Sequence, residues 1–252
     1  NTIALGQTRL SIIDLSKKGH QPMISNCENY IIIFNGEIYN FEEIRADLIS
    51  KNYKFNSNTD TEVILNGYIE YKEQIVNKLN GMFAFSIYDK TNEELFLARD
   101  RSGIKPLYTY HDDKTFTFAS EIKSIKRFSK GIDTNSKILF FLLGYIPEPV
   151  TIYENIYSFP AGCFGFLKNN KLSIKEFDKY NYEPKINKPY KEIISDVKEL
   201  FNNSIKRHLI SDAPIGTFLS GGLDSSIITA VAAQYKTELQ TLSLVFDEKE
   251  LS

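Results

Sequence analysis

The spacing of apolar residues in the first half of the chain predicts strands mixed with helices. Residues 30–34 form an apolar run that predicts a strand, closed by Asn35-Gly36. Apolar residues at helical spacing follow Asn40, which with Glu43 forms a capping-box pattern, and a second helical pattern follows Thr59-Asp60. Further strands are predicted at 82–88, 94–98, 106–110 and 115–119. Hairpins mixed with helices are typical of an α+β domain.

The pattern changes in the second half. Prolines and the polar segment 178–189 predict a domain boundary, while short strands over 152–177 complete the first domain. An amphipathic helix is predicted over 190–209. A strand at 214–219, a helix at 225–235 and a strand at 241–246 then form a βαβ unit, which implies a parallel sheet with a right-handed crossover. Such a sheet is buried on both faces, so we expect more strands in the intact protein.

Composition restricts the class of protein. The chain has 252 residues, 42% hydrophobic and 25% charged, with a net charge of −2, as expected for one or two globular, soluble domains. It has no dense basic cluster for nucleic acid, no apolar stretch of membrane-spanning length and no visible signal peptide. Cys27 and Cys163 lie in unrelated contexts, which argues against a disulfide or zinc site and favours a reduced, cytoplasmic setting.

The segment 220–225, Ser-Gly-Gly-Leu-Asp-Ser, carries the clearest chemistry. It lies between a predicted strand and helix, where two glycines and a helix N-terminus let backbone N–H groups approach an anion. Asp224 is suited to hold Mg²⁺ beside a polyphosphate. No Lys follows the glycines, which excludes the common mononucleotide loop. The pattern is that of the PP-loop of ATP pyrophosphatases; the alternative is an ordinary turn with Asp224 as a helix N-cap.

Four polar segments stand out in the first half, at 9–14, 34–40, 60–62 and 98–108. Each has a purely structural interpretation. Asn35-Gly36 is a strong hairpin signal, and Asp60 is a plausible helix N-cap. Arg9 can pair with any surface carboxylate, and residues 99–101 can form a local salt-bridge cluster. Taken singly, the structural interpretation is favoured for each segment.

Taken together and in order, these segments resemble the class II glutamine amidotransferase domain of glutamine-dependent asparagine synthetases. The segments 20–23, 79–85 and 118–121 match as well, and 220–226 matches the synthetase domain of the same family. The resemblance implies an Ntn-hydrolase-like αββα sandwich, α+β in class, over 1–180. It also implies the start of an α/β parallel-sheet ATP-binding domain, related to the adenine nucleotide alpha hydrolases, over 190–252.

The resemblance assigns a glutamine site to the first domain. It implies that Arg9 pairs with the α-carboxylate and Asp60 with the α-ammonium, while Asn35 and the Gly36 N–H form the oxyanion hole. The remaining implied glutamine-binding residues are Leu10, Ile12, Ile13 and Glu37. The nucleophile implied is an N-terminal cysteine whose own α-amino group acts as the base.

For the second domain, the resemblance implies an ATP-dependent carbon–nitrogen ligase. ATP activates aspartate as an acyl-adenylate, and ammonia from glutamine converts it to asparagine. The implied cofactors are ATP and Mg²⁺, with Asp224 binding the metal, and a homodimer is expected. The implied ATP-binding residues are Leu219, Ser220, Gly221, Gly222, Asp224, Ser225 and Leu244.

Departures from the family leave alternatives open. Residues 1–252 contain no cysteine of the implied kind, and Cys27 and Cys163 cannot replace it. Both ends look cut, so we expect 1–252 alone to be catalytically silent and poorly stable. One alternative is an amidotransferase for another carboxylate, such as a surface-sugar uronate. Others are a β-lactam-synthetase-like enzyme without glutaminase activity, disfavoured by the retained glutamine-site residues, and a non-enzymatic binding protein, disfavoured by the PP-loop.

Overall fold

A computed structural model describes residues 3–178 and 187–245. The chain divides into two compact units, of which one combines Asn1–Leu10 with Ser16–Tyr180 and the other combines Ser11–Leu15 with Asn181–Ser252. The predicted domain boundary at 178–189 falls mostly outside the described residues. Each unit is described by itself below.

The first unit contains two antiparallel sheets. The larger has six strands in the order β1-β2-β3-β4-β8-β9, and the smaller has three in the order β6-β5-β7. The strands are β1 (Met23–Ile24), β2 (Tyr30–Ile38), β3 (Gly81–Asp89), β4 (Glu94–Arg99), β5 (Tyr108–His111), β6 (Phe116–Ala119), β7 (Ile156–Ser158), β8 (Cys163–Lys168) and β9 (Lys171–Glu176). The helices are α1 (Phe41–Ser50), α2 (Asp60–Tyr71), α3 (Ile75–Lys78), α4 (Ile122–Ile125) and α5 (Thr134–Leu143).

Strand alternation sorts the apolar side chains of the large sheet onto two faces. On one face Tyr68 of α2 lies against Phe96, with ring centroids 4.9 Å apart. On the other face Ala84 and Leu97 pack with Leu107 and Phe159 beside the small sheet. The far side of the small sheet packs on α4. The layers therefore run helix, sheet, sheet, helix, and the predicted αββα sandwich is confirmed.

The structure corrects two local predictions. β2 does not end at Asn35-Gly36 but continues to Ile38, paired throughout with β3. The hairpin signal of this dipeptide is overridden because β3 supplies a full-length partner. Asn40 makes no side-chain cap of α1; its amide instead bridges Lys78 O and Asn80 N–H.

A buried arginine and aspartate organise the loop that follows β4. Arg99 donates to the carbonyl oxygens of Gly103 and Lys105 and also to Glu148. Asp100 accepts from the N–H groups of Ile104 and of other residues in the same loop. These two residues therefore hold backbone in place rather than pairing with each other.

The second unit contains two longer helices and a pair of short parallel strands. They are α6 (Tyr190–His208), β10 (Gly216–Phe218), α7 (Leu223–Ala232) and β11 (Gln240–Leu242). The predicted βαβ unit is confirmed, with α7 starting two residues before its predicted start; the end of the second predicted strand, residue 246, lies outside the described residues. Phe218, Leu244 and Val245 are each about four-fifths exposed. Across the described residues, no helix combines the length and apolar character needed to cross a membrane.

Candidate functional site

The outer edge of β2 presents a row of backbone N–H groups. Gly36 pairs in register with Phe83 of β3. Both the N–H and the carbonyl oxygen of Phe83 are bonded to Asp100, on the side away from β2. The pair is therefore a non-hydrogen-bonded one, and the Gly36 N–H points away from β3. β1 pairs only with Ile31 and Ile32, so it does not cover this position.

On either side of Gly36, side chains accept hydrogen bonds from the N–H groups at this edge of β2. The Phe34 N–H donates to Gln21 Oε1 at 2.6 Å, and the Ile38 N–H donates to Asp60 Oδ2 at 3.0 Å. The N–H groups of residues 34, 36 and 38 point to the same edge of β2, because the direction of the backbone N–H alternates from one residue to the next along a strand. Gly36 thus presents a backbone donor between two donors that are already satisfied.

Only glycine fits at position 36. A Cβ there would lie 2.1 Å from Met82 O and 2.8 Å from Phe83 Cα, both backbone atoms of β3. The φ of Gly36 is 157°, which side-chain-bearing residues rarely adopt. The absence of a Cβ therefore permits the close approach of the two strands.

The side-chain amide of Asn35 lies on the face of β2 that it shares with its partner Ala84. Its Nδ2 donates to Ser120 Oγ at 3.2 Å. An amide nitrogen has two N–H donors, so one bond to Ser120 orients the group and leaves the second N–H for another acceptor. Asn35 and Gly36 together supply one side-chain donor and one backbone donor from neighbouring residues.

Asp60 is a buried carboxylate at the start of α2. Thr59, not Asp60, is the N-cap, and its hydroxyl accepts from the Glu62 N–H. Burial raises the pKa of Asp60 to about 6 from an ordinary 3.8, and the negative charge of Glu37 contributes in the same direction. The carboxylate is therefore poorly solvated, and a bound cation would stabilise its charged form.

The other predicted glutamine-site residues lie in the N-terminal segment. The Arg9 guanidinium lies against Gly19, where a Cβ would come within 2.5 Å of its carbon. Leu10 is 86% exposed. Ile12 and Ile13 are grouped with the second unit, where Ile12 O accepts from the Asp212 N–H.

The predicted PP-loop forms an open turn between β10 and α7. Gly221 has a left-handed φ of 79°, and no atom lies within 4 Å of a Cβ built on it. The hydroxyls of Ser220 and Ser225 are 3.0 Å apart, and the Ser220 N–H donates to Ser225 Oγ. Gly222, not Asp224, is the N-cap of α7. Residues 221–224 are exposed, so the start of α7 is open to solvent, as an anion site at a helix N-terminus requires.

The remaining predicted ATP-site residues surround this turn. Leu219 donates its N–H to Leu242 O and accepts from Ser243 Oγ, which extends the parallel pairing beyond β10. Leu244 follows β11 and is 80% exposed. Asp224 is exposed in the first turn of α7. Within 3–178 and 187–245, no three His, Cys, Asp or Glu side chains come together as metal ligands.

Sequence reasoning gave no role to Gln21 or Ser120, which the structure places beside the candidate donors. Both stood in matched segments, His20-Gln21-Pro22-Met23 and Phe118-Ala119-Ser120-Glu121. The sequence signal available for Gln21 was its position directly before Pro22. Its hydrogen-bond partners lie 13 and 40 residues away, beyond the reach of local patterns.

Comparisons with known proteins found two family profiles and several relatives. A family profile described as a glutamine amidotransferase domain matches residues 1–180, and one described as asparagine synthase matches 196–252. A glutamine-hydrolysing asparagine synthetase of Bacillus subtilis is 39% identical over 99% of this chain, and another from the same organism is 38% identical over 98%. Asparagine synthetase B of Escherichia coli is 34% identical over 92%. The chain spans only 40%, 42% and 37% of these relatives' lengths.

Proposed function

This chain belongs to the glutamine amidotransferase domain family. We propose that its first unit binds glutamine and contributes to catalysing the hydrolysis of the glutamine side-chain amide. We further propose that the complete protein uses the ammonia and ATP to convert aspartate to asparagine. The names of the relatives and the match of 196–252 to the asparagine synthase profile support the second step. The experiments below therefore use the complete protein that carries this chain.

One observation supports the glutaminase role above all others. The Gly36 N–H lies at an uncovered strand edge, two residues from an N–H that Asp60 already holds. A glutamine bound along this edge would place its carboxamide oxygen at Gly36 and its α-ammonium near Asp60. The positive charge of the ammonium would compensate the desolvated negative charge of Asp60. Substrate binding and the raised pKa of Asp60 are therefore linked.

Each residue then has a defined task. The Gly36 N–H and the Asn35 amide would donate to the oxyanion that forms when the carboxamide is attacked. Arg9 would hold the α-carboxylate by paired hydrogen bonds, and Asp60 and Glu37 would hold the ammonium. The attacking thiolate implied by the family resemblance is not among the groups described in this unit.

The second unit would bind ATP at the turn before α7. The uncovered N–H groups beside Gly221 and Gly222 suit the pyrophosphate that leaves when a carboxylate is adenylated. Asp224 fits Mg²⁺ because one carboxylate next to phosphate oxygens is the ligand set that this ion prefers, and the ion would neutralise phosphate charge. Leu219 and Leu244 lie at strand ends, where an adenine would be flanked by apolar groups.

Two assays on the complete protein test the proposal. Glutamine should be hydrolysed to glutamate, and aspartate should stimulate AMP release that depends on glutamine or on added ammonia. Absence of glutamine hydrolysis would rule out the role of the first unit. Hydrolysis without aspartate-dependent AMP release would rule out asparagine synthesis, while a uronate-type acceptor could still be amidated.

The pKa of Asp60 predicts how glutamine affinity depends on pH. Above pH 7 the carboxylate is ionised, so KM for glutamine should be constant; below about pH 6 it becomes protonated, and KM should rise towards tenfold per pH unit. Steady-state glutaminase kinetics between pH 5 and 8 measure this. Glutaric acid monoamide, which is glutamine without its α-amino group, should show no such rise. The same rise for both substrates would contradict the assignment of Asp60.

The left-handed Gly221 predicts a defect confined to the second unit. Gly221→Ala meets no neighbouring atom but disfavours the positive φ by about 1 kcal/mol, so the loop would shift and KM for ATP should rise about tenfold. Ammonia-dependent AMP release with varied ATP measures the effect. Glutamine hydrolysis by the same variant is the internal control and should be unchanged. An unaltered KM for ATP would argue against phosphate binding at this turn.

A further inference from the structure

At the edge of β2, the side chain of Gln21 accepts a backbone hydrogen bond that a neighbouring strand would normally accept. Its Oε1 accepts from the Phe34 N–H at 2.6 Å, and Gln7 Nε2 donates to Phe34 O at 3.2 Å. Two side-chain amides thus satisfy both edge groups of Phe34. A backbone strand in their place would have continued along the edge and covered Gly36 as well. The amides stop at Phe34, and no residue within 3–178 accepts a hydrogen bond from the Gly36 N–H.

Gln21 also reaches the helix that carries Asp60. Its Nε2 donates to Thr61 Oγ1 at 3.3 Å. Gln21 and Thr61 are 5% and 2% exposed, so water cannot readily replace this bond. Asp60 in turn accepts from the Ile38 N–H. These three hydrogen bonds and the peptide bond between Asp60 and Thr61 connect Phe34 to Ile38 and so close a ring that spans Gly36.

We propose that Gln21 is a positioning residue that sets the separation between the Gly36 N–H and the Asp60 carboxylate. This inference rests on the proposed glutaminase function. In glutamine, that separation corresponds to the distance from the α-ammonium to the carboxamide oxygen. The ring therefore selects an amide of this length, and a substrate that lacks the ammonium does not depend on it.

Gln21→Met tests the inference because it keeps the side-chain length and removes both hydrogen bonds. For glutamine, kcat/KM should fall about 10- to 100-fold, since misplacement by about 1 Å has effects of that order. For glutaric acid monoamide, kcat/KM should change less than threefold. Preference for glutamine over asparagine, which is one methylene shorter, should also fall. A merely structural role would lower activity on both amides equally, and that result would overturn the proposal.

Two further variants keep the test decisive. Gln7→Met removes the other amide from Phe34 but lies outside the ring, so it should leave the ratio of the two substrates unchanged. If Gln21→Met does not fold, Thr61→Val breaks the same ring and Thr61→Ser retains the hydroxyl, so the first should lose selectivity and the second should keep it. Equal selectivity in both would overturn the proposal. If the wild-type protein hydrolyses no glutamine, the proposed function fails, whereas hydrolysis with unaltered selectivity in the variants refutes only the role of Gln21.

Discussion

Replacing Gly36 with alanine is expected to destabilise the first unit by roughly 3–5 kcal/mol, the range of severe core substitutions. The added Cβ would overlap Met82 O at 2.1 Å and Phe83 Cα at 2.8 Å. Both are backbone atoms in the middle of a paired strand, so no side-chain rotation can relieve the clash. We expect the variant to lose glutamine hydrolysis and to melt well below the wild-type protein.

Gly131→Ala is the matched control for this substitution, because no atom lies within 4 Å of a Cβ at that position. It should change the free energy of unfolding by no more than about 0.5 kcal/mol. Thermal unfolding and glutaminase activity of both variants are the measurements. A Gly36→Ala protein with normal melting and normal hydrolysis would contradict the close approach of β2 and β3.

Asp60→Asn should impair glutamine hydrolysis without destabilising the first unit. The neutral amide can still accept from the Ile38 N–H but cannot pair with an ammonium, so kcat/KM for glutamine should fall about 100-fold or more. Ammonia-dependent AMP release should be unaffected, since ammonia bypasses the first unit. Retention of normal glutamine kinetics would remove Asp60 from the proposed site.

The same substitution should raise stability at neutral pH. The pKa of Asp60 is higher in the folded chain than its ordinary 3.8, so the folded chain binds this proton more tightly than the unfolded chain. Wild-type stability therefore declines as pH rises from about 4 to about 6 and stays lower above that. The asparagine variant lacks this decline and should gain roughly 1–3 kcal/mol at pH 7.5. Thermal unfolding at pH 5 and 7.5 measures the difference, and equal stability at pH 7.5 would count against a desolvated carboxylate.

Sequence patterns predicted the helices and strands that depend mainly on residues close together in the chain. The apolar stripe of α6 and the strand-turn-helix of the second unit follow from residue spacing, and both are present. The apolar run 138–143 does not by itself distinguish a short helix from a strand. The ends of α5 are set by Asp133, which accepts from the Ser136 N–H, and by left-handed Gly144.

The sequence could not predict features that depend on distant partners. Asn35-Gly36 has the composition of a hairpin turn, and only its pairing with β3 shows that it lies within a strand. Resemblance to a family proposed Asp60 and Gly36 as site residues but gave no geometry. The bond between the Ile38 N–H and Asp60, the raised pKa and the role of Gln21 all require residues far apart in sequence to meet in the core.

The burial of α2 has a consequence for how this unit can change over evolution. Nine consecutive residues, from Asp60 to Tyr68, are buried, so the helix is packed on all sides near its start. A helix enclosed in this way cannot shift to accept a longer or shorter substrate without repacking the core. New specificities in descendants of this protein should therefore arise from changes in exposed segments such as the one that contains Arg9 and Leu10, while the helix keeps its place.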